Sequence, residues 1–369
     1  MPLTRRTLLS AGAALAGVAA VGGWAFWQGR GQSPLLLSAR NDDAGQHYCA
    51  GYFLDGKQAF ATPVHERCHD ITRHPFLPLA LFVGRRPSRE SYLIDLRDGT
   101  LVQTLHSEPQ RHFYGHAVFH RQGEWLYATE NDLSDPGRGV LGRYRLDLDA
   151  LRLVRDGEVP THGVGPHQLK WMPDGESLVI ANGGIRTESD SREKMNLDAM
   201  APSLVIMDRH GERFSKETPE HRQNSIRHLA VADDGTVVSG QQYQGPAWDS
   251  VPLLAIKRPG QPYQTFPVAT EQLAMMNQYT ASIAIHSEQR LVAMTAPRGN
   301  RFFVWDLDTA ETVVDTPMSD CAGVGVVPSG FAVTSGQGRC RHFDCRGGSV
   351  TSEWLDLPSG WWDNHLWLS

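Results

Sequence analysis

The sequence predicts an all-β fold, a seven-bladed β-propeller, on three observations. A two-strand unit recurs six times at intervals of roughly 40 to 60 residues, the range of propeller-blade repeats. The 369 residues include 36 glycines and 22 prolines, which suits a chain with many turns. The C-terminus supplies a strand that the N-terminal unit lacks, so the ring can close on itself.

The clearest copy of the unit runs from Gly163 to Gly184. His167 opens its first strand, Pro173-Asp174-Gly175 makes the turn, and Ser177 to Ala181 forms the second strand. The same pattern starts at His69, His116, His228, Ser282 and Gly323, so four of the six openings carry a histidine. Before the first of these come three strand-like runs, Leu35 to Ala39, Tyr48 to Leu54 and Gln58 to Pro63, the last two joined at Asp55-Gly56. No histidine-led strand precedes them. Asn364-His365-Leu366-Trp367-Leu368 has the missing form and is expected to pair beside Leu35 to Ala39, making His365 a fifth repeat histidine. A polar insertion, Ile185 to Pro202, interrupts the unit opened by His167, with a short capping helix expected near Arg192 to Met200.

In a blade the innermost strand lines the channel and successive strands alternate in direction. The repeat histidines therefore face one channel mouth, together with the residues that end each second strand. Candidate ligand-binding residues around that mouth are Arg85, Glu130, Asn131, Asp132, Asn182, Gln242, Tyr243 and Arg298. Imidazoles converging on one axis suit zinc, copper, iron or nickel, so His69, His116, His167, His228 and His365 are candidate metal ligands. Glu130 and Asn182 are expected to orient those imidazoles from behind. The competing reading is that the histidines only hydrogen-bond neighbouring blades. One detail bears on the choice. The turn glycine or its equivalent lies eight residues beyond His69 and His167 but seven beyond His116 and His228. A one-residue slip turns a side chain to the other face of a strand, so fewer than five need point inward.

The net charge of −6 and the absence of a Lys/Arg run argue against a nucleic-acid partner. No nucleophile elbow, metalloprotease helix motif or Walker sequence is present. Thr4-Arg5-Arg6-Thr7-Leu8-Leu9 followed by an apolar run to Trp27 reads as a twin-arginine export signal, long enough to serve as a membrane anchor if uncleaved. The expected division is thus 1–32 as signal and 33–369 as one propeller domain, with a periplasmic location. Five cysteines stand at 49, 68, 321, 340 and 345 without metal spacing; buried free thiols are the expectation, with a Cys340–Cys345 pairing open.

Several stretches together resemble a known family. They include R-H-F-Y-G-H (111–116), A-T-E-N-D (128–132), G-V-G-P-H (163–167), R-E-K-M-N-L-D (192–198), S-I-R-H-L-A (225–230), A-P-R-G-N-R (296–301) and W-D-N-H-L (362–366). The chain is similar along most of its length to the bacterial family catalogued as domain of unknown function 1513. The resemblance implies an exported seven-bladed propeller, related in shape to quinoprotein amine dehydrogenase and YVTN-type propellers. It also implies a setting near imelysin-like iron-uptake proteins and a di-haem oxidoreductase-like protein, which makes iron the expected metal. It names no reaction. Three readings stay open: a metal-binding accessory protein, a lactonase-like hydrolase or lyase using the same mouth with Glu130 or Asp132 as acid/base groups, and a protein-docking scaffold.

Overall fold

The computed structural model describes residues 35–187, 193–358 and 360–368. The twin-arginine segment lies outside the described residues. Seven antiparallel sheets follow one another along the chain, each a blade. Blade 1 holds Leu35–Asn41, His47–Phe53 and Gln58–Val64. The innermost strands of blades 2 to 7 are Cys68–Arg73, Arg111–Phe119, Pro166–Trp171, Asn224–Val231, Ile283–His286 and Cys321–Val327. Each of these blades has four strands.

The core lies between the blades, where alternate residues of facing sheets interdigitate. Leu79, Leu81 and Val83 of blade 2, for example, share a buried cluster with Phe113, Ala117 and Phe119 of blade 3. Burying a side chain of this size contributes roughly 1.5 to 3 kcal/mol.

The ring closes through the C-terminus, though not by one continuous strand as the sequence suggests. Trp367–Leu368 pairs with Leu36 and Leu37, and Trp361–Trp362 pairs with Arg40 and Asn41. The residues between, Asp363 to Leu366, leave the ladder. Leu36, Trp362 and Leu366 are buried in one cluster that joins the chain ends. The break frees Asp363 and His365 to turn into the channel, while the Ser38 hydroxyl fixes the His365 carbonyl at 2.8 Å.

The inner strands of blades 2 to 5 share a second irregularity. Their pairing registers shift between Cys68 and Asp70, Phe113 and Ala117, Pro166 and Leu169, and Ile226 and His228. A bulge re-aims the side chain it carries. The unequal histidine-to-turn spacings are absorbed at these shifts, and all five histidines reach the channel. Gly115 lies within the blade 3 irregularity at φ +107°, and a Cβ there would come within 2.6 Å of the His69 ring. Only glycine allows both the backbone conformation and that close approach.

Among its described residues, the insertion in blade 4 forms a 3-10 turn, Leu197–Ala199, within the stretch where the sequence suggests a capping helix; Arg192, at the start of that stretch, lies outside the described residues. All five cysteines are buried free thiols, so Cys340 and Cys345 are not paired. Among the described residues no helix is long and apolar enough to cross a membrane.

Candidate metal centre

The five repeat histidines form one cluster, with ring centroids 4.6 to 6.5 Å apart in pairs. His69, His116, His228 and His365 are each at most 5% exposed. One ring nitrogen from each of these four lies within 4.8 Å of the others. Nitrogens around a tetrahedral ion stand about 3.4 Å apart, given metal–nitrogen bonds of roughly 2.1 Å, so the rings would close by up to about 1.4 Å on binding. His167 stands at the edge of the cluster, its Nε2 3.1 Å from Nε2 of His228, one ring donating to the other.

Three of the rings are held from behind. His116 Nδ1 is 2.6 Å from the Asp70 carboxylate, His69 Nδ1 is 3.1 Å from Asp363, and His365 Nδ1 is 2.8 Å from the Ser282 hydroxyl. A histidine so anchored through one nitrogen presents the other, with its tautomer set, to an ion. All three supports cross from blade to blade, Ser282 of blade 6 reaching His365 of the closing segment. Asp70 follows His69 in sequence but supports His116 of the next blade; Asp363 precedes His365 but supports His69 of blade 2. Asp70 and His69 are neighbours at a register shift and point apart, whereas Asp363 lies in the unpaired segment between the two closing strands and reaches His69 from there.

The buried Nε2 atoms of His116 and His365 and the Nδ1 atoms of His167 and His228 have no hydrogen-bond partner. Burial pushes His69 down to about 4, although Asp363 opposes this. Burial likewise drives His167, His228 and His365 well below the usual histidine range, helped by the other imidazoles. These rings are therefore neutral at pH 7, the form that ligates metals. Burial opposes charge on Asp70, yet His116, His365 and Lys170 hold its carboxyl below the usual range. Asp363 behaves alike, with His69, Arg85 and Arg67 outweighing burial.

Above the rings opens a cavity of about 290 Å³. Of the mouth residues expected from sequence, Arg85, Gln242 and Arg298 line it. The other five lie elsewhere. Glu130 is fully buried inside blade 3, bonded to the Tyr144 hydroxyl and, at 2.8 Å, to Arg155. It does not orient the imidazoles, and burial raises its carboxyl. Asp132 pairs with Arg111 and Arg138, both at 2.8 Å. Asn131 is buried opposite His112 in the same sheet. Asn182 donates to the Thr161 carbonyl at 3.3 Å rather than to an imidazole. Tyr243 donates to Asp249 at 2.6 Å. These residues end second strands as the repeat implies, but their side chains point into or between blades.

Arg86, which ends a second strand beside Arg85, also lines the cavity, whereas Asp70, Asp363, Ser282 and the cavity cations Lys194 and Arg227 were not among the candidates. The sequence carried a signal for some of them: an Asp beside His69, an Asp two before His365, and an Arg beside His228. Ser282 holds the histidine's place in its own repeat.

The propeller architecture is shared with solved structures of little sequence likeness. The periplasmic gluconolactonase PpgL of Pseudomonas aeruginosa is 12% identical, with a TM-score of 0.58, covering 89% of this chain and 97% of that one. A mitotic checkpoint complex chain is 12% identical with a TM-score of 0.57, covering 78% and 77%. Saccharomyces cerevisiae Sqt1 is 12% identical with a TM-score of 0.54, covering 80% and 86%. At such identities the likeness is one of fold alone. No curated protein sequence matches the chain. The family model "Protein of unknown function (DUF1513)" matches residues 62–369, all six complete internal blades and the closing C-terminal segment, and the chain belongs to that family.

Proposed function

We propose that this propeller is a metal-binding protein that holds one first-row transition-metal ion in its channel through His69, His116, His228 and His365. The observation that carries the reading is the convergence of four imidazole nitrogens within 4.8 Å, in a cluster where one buried ring nitrogen each of His116, His167, His228 and His365 lacks a partner. Buried polar atoms are nearly always satisfied, and a group of them facing one point is what a ligand set looks like without its ion. The donors are imidazoles, which suit iron, zinc, copper or nickel. Iron is the ion expected from the family resemblance. Asp70 and Asp363 would balance part of the ion's charge through the rings they support.

The same reading makes the protein an exported, periplasmic accessory factor in metal handling, reaching its compartment by the twin-arginine route. Imelysin-like and di-haem oxidoreductase-like proteins are the partners it would serve. The lactonase-like alternative loses its proposed acid/base groups, because Glu130 and Asp132 are committed to arginines.

The test is calorimetry of chelator-treated protein with Fe(II), Zn(II) and Cu(II). One ion per chain is expected, with at least about 100-fold weaker binding in a His116→Ala/His228→Ala variant, more than the loss usual for supporting residues alone. No uptake by the wild type would leave the histidines structural and favour the docking scaffold.

A further inference from the structure

The cavity above the imidazoles has a chemistry of its own. Arg86, Lys194, Arg227 and Arg298 line it, and among the described residues no carboxylate does. Arg85 also faces it but is neutralised, its Nη1 2.9 Å from the Asp363 carboxylate. Arg298 and Lys194 are positioned by uncharged groups. The Arg298 guanidinium lies 4.3 Å from the Tyr279 ring centre, and that of Arg86 lies 5.3 Å from the ring of Tyr114. Lys194 donates to the Gln244 side-chain carbonyl. The contacts of Arg298 and Lys194 fix a cation without cancelling its charge.

Arg227 is the most telling of the set. It is 8% exposed, and its Nε is buried with no hydrogen-bond partner. Burial, then Arg86, pushes it down to about 10. Burial and then Arg227, Arg298 and Arg86 likewise push Lys194 down. An isolated protein gains nothing from gathering like charges around a partly desolvated guanidinium. An anion seated among them reverses the sign of each of these interactions.

We propose that this cavity is a binding site for a small oxyanion carrying two or more negative charges, a compact polycarboxylate or a phosphate. Guanidinium groups pair with either in a forked geometry. The volume, about 290 Å³, lies at the small end of small-molecule sites, which run from roughly 300 to 1,000 Å³, and limits the ligand to a compact one. The site stands on the cations alone and does not require the metal below it. His69, His167 and His228 form its floor, so an anion held there would also face the proposed ion.

Titration of chelator-treated protein with citrate and, separately, with inorganic phosphate tests the site apart from metal binding. Saturable binding of at least one probe is expected, weakened by added sodium chloride. Whichever probe binds more tightly identifies the carboxylate or phosphate class. Arg227→Gln should lower affinity at least about ten-fold, a loss of one charge-assisted contact. In the ligand-free state the same change should raise the melting temperature, because it removes an unneutralised buried charge. Arg298→Gln, at an exposed position whose loss does not disturb the core, should also lower affinity several-fold. Failure of both probes to bind the metal-free protein, or affinities unchanged in both variants, would overturn the proposal whatever the outcome of metal titrations.

Discussion

Two buried polar clusters sit side by side in this ring and differ in one respect. In blade 3, Glu130, Asp132 and Glu158 interlock with Arg111, Arg138 and Arg155, three carboxylates against three guanidiniums. In the channel, four imidazoles each keep a ring nitrogen without a partner, and among the described residues the cavity above them is lined by cations and by no carboxylate. A closed network satisfies its own members and serves the fold. An open one leaves valence and charge for something the chain does not supply. The histidines repeat the lesson among themselves. His74, His120 and His162 donate to the carbonyls of Gly123, Gly175 and Gly211 and so fasten neighbouring blades together. The channel histidines also bond to neighbouring blades, through Asp70, Asp363 and Ser282, but His116 and His365 keep their second ring nitrogen without a partner.

The largest expected effect of breaking the contrast is on stability in the closed cluster. Glu130→Ala leaves the buried Tyr144 hydroxyl without its acceptor and Arg155 with Glu158 alone, and should cost about 3 kcal/mol in chemical denaturation. Metal affinity, measured in parallel, should not change. A loss of metal binding in folded Glu130→Ala protein would erase the distinction between the clusters.

Next in size is the pH dependence of the open cluster. His69 titrates near 4 in the folded protein against about 6.5 when unfolded. The unfolded chain therefore binds more protons between these values, and stability falls as pH drops from about 6.5 through about 4. His69 alone should cost the metal-free protein about 2 kcal/mol at pH 5 relative to pH 7.5. His228 and His365 shift the same way and add to the loss. Equal or greater stability at pH 5 would mean that these rings are not buried and neutral.

The smaller effects sharpen the role of the supporting groups. Asp70→Asn removes the carboxylate behind His116 and should weaken metal binding 10- to 100-fold, with little change in the blade 3 network. Ser282→Ala removes a neutral support from His365 and should cost less than Asp70→Asn. A reversed order, measured by competition with a chelator, would contradict the charge-compensating part assigned to the carboxylate.

The architecture was legible in the sequence because blade strands repeat a local pattern, and a repeat can be counted without knowing what it touches. The convergence of five histidines followed from strand geometry, yet the slip in turn spacing pointed against it. Register shifts such as that between Phe113 and Ala117 resolve the conflict, and they depend on neighbours in other strands. The mouth residues fared unevenly for the same reason. Arg85 and Arg298 have long side chains at strand ends and reach the cavity. Glu130 occupies an equivalent place but is captured by Tyr144 and Arg155 of its own blade. The supports behind the imidazoles were hidden because they cross blades: Asp363 reaches His69 across 294 positions of sequence. Nothing local distinguishes such a residue from any other aspartate near a histidine.

Anomalous diffraction from crystals grown with Zn(II) or Fe(II) would test the central claim most directly. The account predicts a single strong peak in the channel, about 2.1 Å from ring nitrogens of His69, His116, His228 and His365. A peak only at the exposed His65, Glu66 and Glu90 group, or no peak among the histidines at full metal loading, would contradict it.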